Sequence, residues 1–223
     1  MQRPQVIFFD AVGTLFGVKG SVGQVYAAIA QQYGVEVAPK TLDRAFGRAF
    51  RAAGNPAFPG VAPSDLPMQE YAWWRTVAIA TFDQAGVLNQ FQNFDRFFTT
   101  LFQHFATATP WDLYDDTIPT LAQLRSVGIP LGVLSNFDSR LHQVLPALGL
   151  AEYFTSVTIS TEVGTAKPDA QIFQHALAQH HCSPEQAWHI GDSLEEDYRA
   201  AMTAGLKGIW LQRSGTNCTT AGH

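Results

Sequence analysis

A chain of 223 residues holds one large domain or two modest ones, and at this mass about 70% of the unfolded surface is buried on folding, so a core forms without disulfide or metal staples. With 46% hydrophobic and 15% charged residues, general disorder is excluded. The net charge of −5 and the lack of any dense Lys/Arg run argue against a nucleic-acid partner.

In chain order, the first element is the apolar run Val6–Phe9, which is too short for a signal peptide or membrane span and reads as a buried parallel strand. No later stretch reaches 18 apolar residues without a charge or a Gly/Pro break, so a soluble protein with no membrane partner is expected. The cysteines are Cys182 and Cys218, in neither Cys-x-x-Cys nor Cys/His metal spacing. A reducing, cytoplasmic location follows.

Composition shifts near residues 16 and 110. Residues 16–109 carry six Asp/Glu against seven Lys/Arg, a net +1, whereas the flanks sum to −6. The segment therefore reads as an insertion. It opens on GTLFGVKGSVG, whose Gly17, Gly20 and Gly23 suggest a hinge or flap. Apolar residues then recur at helical spacing: Val22, Val25, Ile29 and Tyr33; Leu42, Ala45, Phe46, Ala49 and Phe50; Tyr71, Trp74 and Ala78; and Phe91, Phe94, Phe98, Leu101, Phe102 and Phe105. These predict four amphipathic helices in a small bundle, separated by breaks such as GNPAFPGVAPSD. Arg44, Arg48, Arg51 and Arg75 read as solvated helix faces.

Beyond the insertion, Thr117-Ile118-Pro119 and Ser183-Pro184-Glu185 mark helix starts. Short apolar runs at Leu131–Leu134, Val157–Ile159, Trp188–Ile190 and Ile209–Leu211 alternate with helical stretches. Ser135 and Asn136 suit a turn or the N-cap of a helix over Ser139–Leu148. His180, His181 and Cys182 lack the companions a zinc site needs, His189 reads as a packed core histidine, and the tail SGTNCTTAGH as frayed. The expected architecture is α/β: a Rossmann-like open parallel sheet core from residues 1–15 and 110–223, with an inserted α-helical cap domain over 16–109.

In such sheets reactive groups lie just past the C-terminal ends of strands. There the sequence offers Asp10 to Thr14, then Ser135 and Asn136, and then Gly191, Asp192 and an acidic helix start, with Lys167 ahead of another helix. One carboxylate, one hydroxyl, one lysine and a carboxylate cluster would face a single crevice. Attack by a carboxylate on a phosphate sets like charges against each other, so a cation must lie between them, and hard oxygen ligands suit Mg²⁺.

Four stretches, FFDAVGTL, VLSN, AKPDAQIF and HIGDSLEED, stand in that order with a helical segment after the first. In this the chain resembles the haloacid dehalogenase-like hydrolases. The resemblance implies Asp10 as a nucleophile that forms an aspartyl intermediate, with Ser135 and Lys167 serving both catalysis and phosphoryl binding. It also implies Thr14 and Asn136 as substrate contacts, and Asp10, Asp192, Asp197 and the Val12 carbonyl around Mg²⁺. The implied substrate is a small phosphorylated metabolite. Family phosphatases carry a second Asp at the position of Val12 to protonate the leaving group. Valine has no proton to give, a loss of about 10²- to 10⁴-fold for poor leaving groups. DAVGTLF also resembles the first stretch of the family's true dehalogenases. Dehalogenation of 2-haloacids therefore stands as an alternative, as does an impaired relative with a binding role.

Overall fold

The structure is a computed structural model that describes residues 3–213; Cys218 and the tail SGTNCTTAGH lie outside the described residues. Its centre is a parallel five-stranded sheet in the order β5-β4-β1-β6-β7, built from β1 (Val6–Phe9), β4 (Leu131–Ser135), β5 (Ser156–Ile159), β6 (Ala187–Gly191) and β7 (Lys207–Trp210). Every residue of β1 is buried. Side chains alternate across a strand, so Ile7 and Phe9 enter one core with Leu131 and Val133, while Val6 and Phe8 enter a second with Leu134, Ile172 and Phe173. A strand covered on both faces has no polar side, which is why the run is apolar throughout.

Helices cover the sheet: α5 (Thr117–Ser126), α6 (Leu141–Ala147), α7 (Ser160–Val163), α8 (Ala170–Gln179) and α9 (Ala200–Thr203). Two expected details change. Ser135 and Asn136 do not cap α6; the turn before it closes on Asp138, whose Oδ1 accepts from the Arg140 N–H at 3.0 Å. The last strand begins at Lys207 rather than Ile209, because pairing with β6 fixes its register, Trp188 opposite Lys207 and Gly191 opposite Trp210.

Between β1 and α5 the chain forms α1 (Val22–Gln32), α2 (Pro39–Ala53), α3 (Leu66–Gln84) and α4 (Phe94–His104). They pack around Tyr26, Ile29, Leu42, Ala78, Phe82, Phe97 and Leu101. Phe91 stays outside α4, because Asn93 caps the helix by accepting from the Arg96 N–H at 2.9 Å. The glycine-containing stretch expected as a hinge contains β2 (Phe16–Val18), which pairs antiparallel with β3 (Trp111–Leu113). The two crossings between sheet and helices are thus joined in one ribbon. No helix of the described residues is long and apolar enough to cross a membrane.

Candidate active site

The strand order reverses at β1: β4 and β5 lie to one side, β6 and β7 to the other. The C-terminal end of β1 is therefore the natural crevice of the sheet. Asp10 is the first residue past it, its backbone N–H held by the Ile190 carbonyl at 2.9 Å. Ser135, the last residue of β4, donates to Asp10 Oδ1 at 3.0 Å. The same oxygen accepts from Lys167 Nζ at 2.7 Å, and Lys167 also donates to Asp197 Oδ1 at 2.5 Å. All four side chains are buried.

The Asn136 side-chain amide fixes the lysine loop. Its Oδ1 accepts from the Lys167 N–H and its Nδ2 donates to the Lys167 carbonyl, both at 2.8 Å. Asp197 stands in a π-helical turn, Leu194–Arg199, and its Oδ2 accepts from the Ser193 N–H at 3.0 Å. That placement requires a glycine at 191, where a Cβ would lie 2.1 Å from Asp197 Cγ. Gly13 does the same for Asp192: its φ is +92°, and a Cβ there would lie 2.3 Å from an Asp192 carboxylate oxygen.

Asp10, Asp192 and Asp197 each offer a carboxylate oxygen, all within 4.8 Å of one another. Hard, closely spaced oxygen donors of one sign are the donor set of a divalent cation. Their electrostatics agree. Burial, and then the charges of Asp10 and Asp197, push Asp192 up from 3.8 to about 7. Asp10 is likewise raised, chiefly by burial and against the pull of Lys167. For Asp197 burial works upward, but Lys167 and His189 outweigh it and hold the carboxyl well below its ordinary range. Lys167 rises: burial disfavours its charge, yet Asp10 and Asp197 together overcome that. The result is a fixed ammonium between two carboxylates, with Asp192 left short of a counter-charge.

Val12 sits in the turn after β1, bridged to Phe16. Thr14 is buried, and its Oγ1 has no partner among the described residues. Several contributors were not legible in the sequence. Asn55, in a stretch that read only as a helix break, donates to the Lys167 carbonyl at 2.7 Å and to Glu196 Oε1 at 3.1 Å. Glu196, part of the acidic helix start, also accepts from Asn136 at 3.2 Å. Arg213 donates to the Thr14 carbonyl through Nε and Nη2, pairs with Asp116 at 2.9 Å and lies 3.8 Å over the Tyr114 ring. His189, expected as core filling, bonds Asp197 at 2.9 Å. Of the insertion's arginines, Arg75 pairs with Asp95 and Arg48 with Gln84.

The haloacid dehalogenase-like hydrolase model matches residues 4–205. Haloacid dehalogenase-like hydrolase domain-containing protein 3 of Homo sapiens is 35% identical over 202 residues, 91% of this chain and 79% of the human protein. Glyceraldehyde 3-phosphate phosphatase of Methanopyrus kandleri is 40% identical over 101 residues, 45% of this chain and 43% of that protein. Among solved structures, a dehalogenase with an intermediate complex superposes with a TM-score of 0.69 at 19% identity, over 96% of this chain and 88% of its own. With sheet, carboxylate cluster and lysine arranged as above, the chain belongs to the haloacid dehalogenase-like hydrolases.

Proposed function

We propose that this hydrolase cleaves small phosphorylated metabolites through an aspartyl phosphate on Asp10, and that it favours substrates whose leaving groups depart without a proton. The observation that carries the reading is the carboxylate cluster of Asp10, Asp192 and Asp197. An anionic haloacid meeting those acids without a cation would be repelled, whereas a phosphoryl group accompanied by a divalent cation would not. Residues 1–15 and 110–223 would form the catalytic core and 16–109 a cap over it, a division supported by the β2–β3 ribbon and by Asn55 reaching the lysine loop.

Asp10, Asp192 and the Val12 carbonyl would hold Mg²⁺. Asp197 stands beside them with its oxygens already serving Lys167, His189 and the Ser193 N–H. When bound, the cation supplies positive charge between carboxylate and phosphate. Lys167 and Ser135 both engage Oδ1 of Asp10, and Oδ2 would be the attacking oxygen. That oxygen forms the new bond as the ester or anhydride bond breaks, and the leaving oxygen keeps the electron pair. Lys167 remains protonated and offsets the charge that gathers on the phosphoryl oxygens. Thr14 would be a further substrate contact, as would Asn136, whose amide also holds the Lys167 backbone. Water then releases phosphate and returns Asp10.

Hydrolysis of acetyl phosphate and p-nitrophenyl phosphate, with Mg²⁺ and with EDTA, tests the reading. Turnover should require the metal and fall more than about 10³-fold in Asp10→Asn. An Asp10→Asn protein that turns over like wild type overturns it. Halide release from 2-haloacids in EDTA would instead establish the dehalogenase chemistry that Val12 leaves possible. No Asp10-dependent turnover of either class would favour a binding role.

Val12→Asp should raise hydrolysis of sugar phosphates by about 10²-fold while leaving acetyl phosphate nearly unchanged, because only the poor leaving group needs a proton. Comparing kcat/KM for the two substrates in wild type and variant reads this directly. An equal change in both would show that position 12 does not act through the leaving group.

A further inference from the structure

We infer that His189 is a positioning residue for the reaction proposed above: its imidazole orients the Asp197 carboxylate, and that carboxylate holds the Lys167 ammonium on Asp10.

His189 lies in β6 and is completely buried. On its face of the sheet, the strand positions around it are Val6, Phe8, Leu134 and Ala187, all apolar. The Phe173 ring packs edge-on against the imidazole, with centroids 5.3 Å apart. An aliphatic side chain would suit such a wall, and the histidine pays for its place: Nδ1 is buried without a hydrogen-bond partner among the described residues. What the ring gains is one contact, Nε2 to Asp197 Oδ1 at 2.9 Å. Asp197 is held ionised by Lys167 and can only accept, so the ring is the donor and its proton sits on Nε2. Nδ1 is then a bare lone pair, consistent with its lack of a partner.

The contact lies on the path to the nucleophile. Asp197 Oδ1 is shared by His189 and Lys167, Oδ2 takes the Ser193 N–H, and Lys167 continues to Asp10 Oδ1. With three donors on it the carboxylate cannot rotate about its Cβ–Cγ bond. With His189 removed, the remaining donors among the described residues are the lysine it is meant to hold and one backbone N–H. Partners that orient a site's ligating or charge-bearing groups from behind typically matter by about 10- to 100-fold in activity.

Two variants separate orientation from packing. Glutamine can place an N–H donor near the position of Nε2, and leucine fills the space without one. With acetyl phosphate, His189→Leu should lower kcat by about 10- to 100-fold, and His189→Gln should recover activity to within about fivefold of wild type. Leucine keeping kcat within about twofold overturns the inference, as does glutamine being impaired as severely as leucine. In the wild-type protein, long-range ¹H–¹⁵N spectra of the histidine rings should show His189 protonated at Nε2 only. A proton on Nδ1 instead overturns it even if neither variant folds. The inference rests on the proposed Asp10 chemistry, but the spectra do not need turnover. Should Asp10→Asn prove as active as wild type, the functional reading fails while the Lys167 Nζ resonance still decides this one: displaced by leucine and restored by glutamine in support, unmoved by leucine against.

Discussion

Stripped of divalent metal, the wild type should lose melting temperature relative to Asp192→Asn as the pH rises from 5 to 8. Asp192 has an ordinary carboxyl value of 3.8 when the chain is unfolded and about 7 when folded, raised first by burial and then by the charges of Asp10 and Asp197. Between those values the folded state binds more protons than the unfolded state, so stability falls as pH rises. The contribution is fully present below about pH 4 and is lost as the pH passes through about 7. Allowing for solvent screening of a half-buried group, its size is on the order of 2 kcal/mol, or about 4–8 °C for a chain of this length. Asp10 is shifted in the same direction, whereas burial lowers His189, His180 and His104, whose contributions run the other way, so the Asp192 contribution is the difference between wild type and variant. Added Mg²⁺ should raise the melting temperature of the wild type most at pH 8, where the carboxylates are ionised, and that of Asp192→Asn much less. Calorimetry of both proteins at four pH values, with EDTA and with Mg²⁺, checks this. Parallel wild-type and variant curves between pH 5 and 8 in EDTA, or equal metal stabilisation in both proteins, would refute it.

The parts legible in the sequence are those in which one residue type has one reason to be there. The continuous apolar runs marked the sheet because a strand buried on both faces is predominantly apolar, and Val6–Phe9 was located to the residue. Asp10, Ser135 and Asp192 stand just past the ends of such runs, whereas Lys167 and Asp197 were indicated by the resemblance of AKPDAQIF and HIGDSLEED to the haloacid dehalogenase-like hydrolases. What escaped were residues whose purpose lies wholly in a distant partner. Asn55 is an ordinary loop residue until Lys167, 112 positions away, comes beneath it. Glu70 interrupts an apolar helix with no local compensation; its carboxylate is buried and accepts from the Ser139 N–H at 2.9 Å, the Ser139 hydroxyl, and the Thr161 hydroxyl at 2.6 Å.

The β2–β3 ribbon escaped for a related reason. Three-residue strands have too few alternations to register as a period, and Phe16–Val18 finds its partner only after the helical segment has been traversed. His189 shows a different limit. Its burial was foreseeable from its place in an apolar strand, but whether a buried imidazole is filler or donor depends on where the eighth residue after it turns back. A π-helical turn that returns Asp197 to the strand is a tertiary outcome.

Arg140→Ala should destabilise the protein by about 3–5 kcal/mol. Asp138 is fully buried and Arg140 nearly so, with Nη2 2.6 Å from Asp138 Oδ2 and Nε 2.8 Å from Oδ1. The guanidinium also donates to the Phe102 carbonyl at 2.9 Å and lies 3.8 Å over the Phe102 ring. On the other side, Trp74 Nε1 donates to Asp138 Oδ2 at 2.6 Å. One ion pair therefore joins the start of α6 to α3 and α4. Alanine at 140 leaves the Asp138 carboxylate desolvated with the Trp74 indole and the backbone N–H of residue 140, and empties the space against Phe102. The penalty belongs mostly to the stranded charge, which distinguishes this account from a simple loss of packing. Asp138→Asn combined with Arg140→Met keeps much of the volume and strands no charge, so the double variant should be more stable than Arg140→Ala even though it carries more changes. Urea unfolding of the wild type and the two variants measures it. A cost below about 1 kcal/mol for Arg140→Ala would count against the charge argument, as would a double variant less stable than the single one, because both would place the energy in packing.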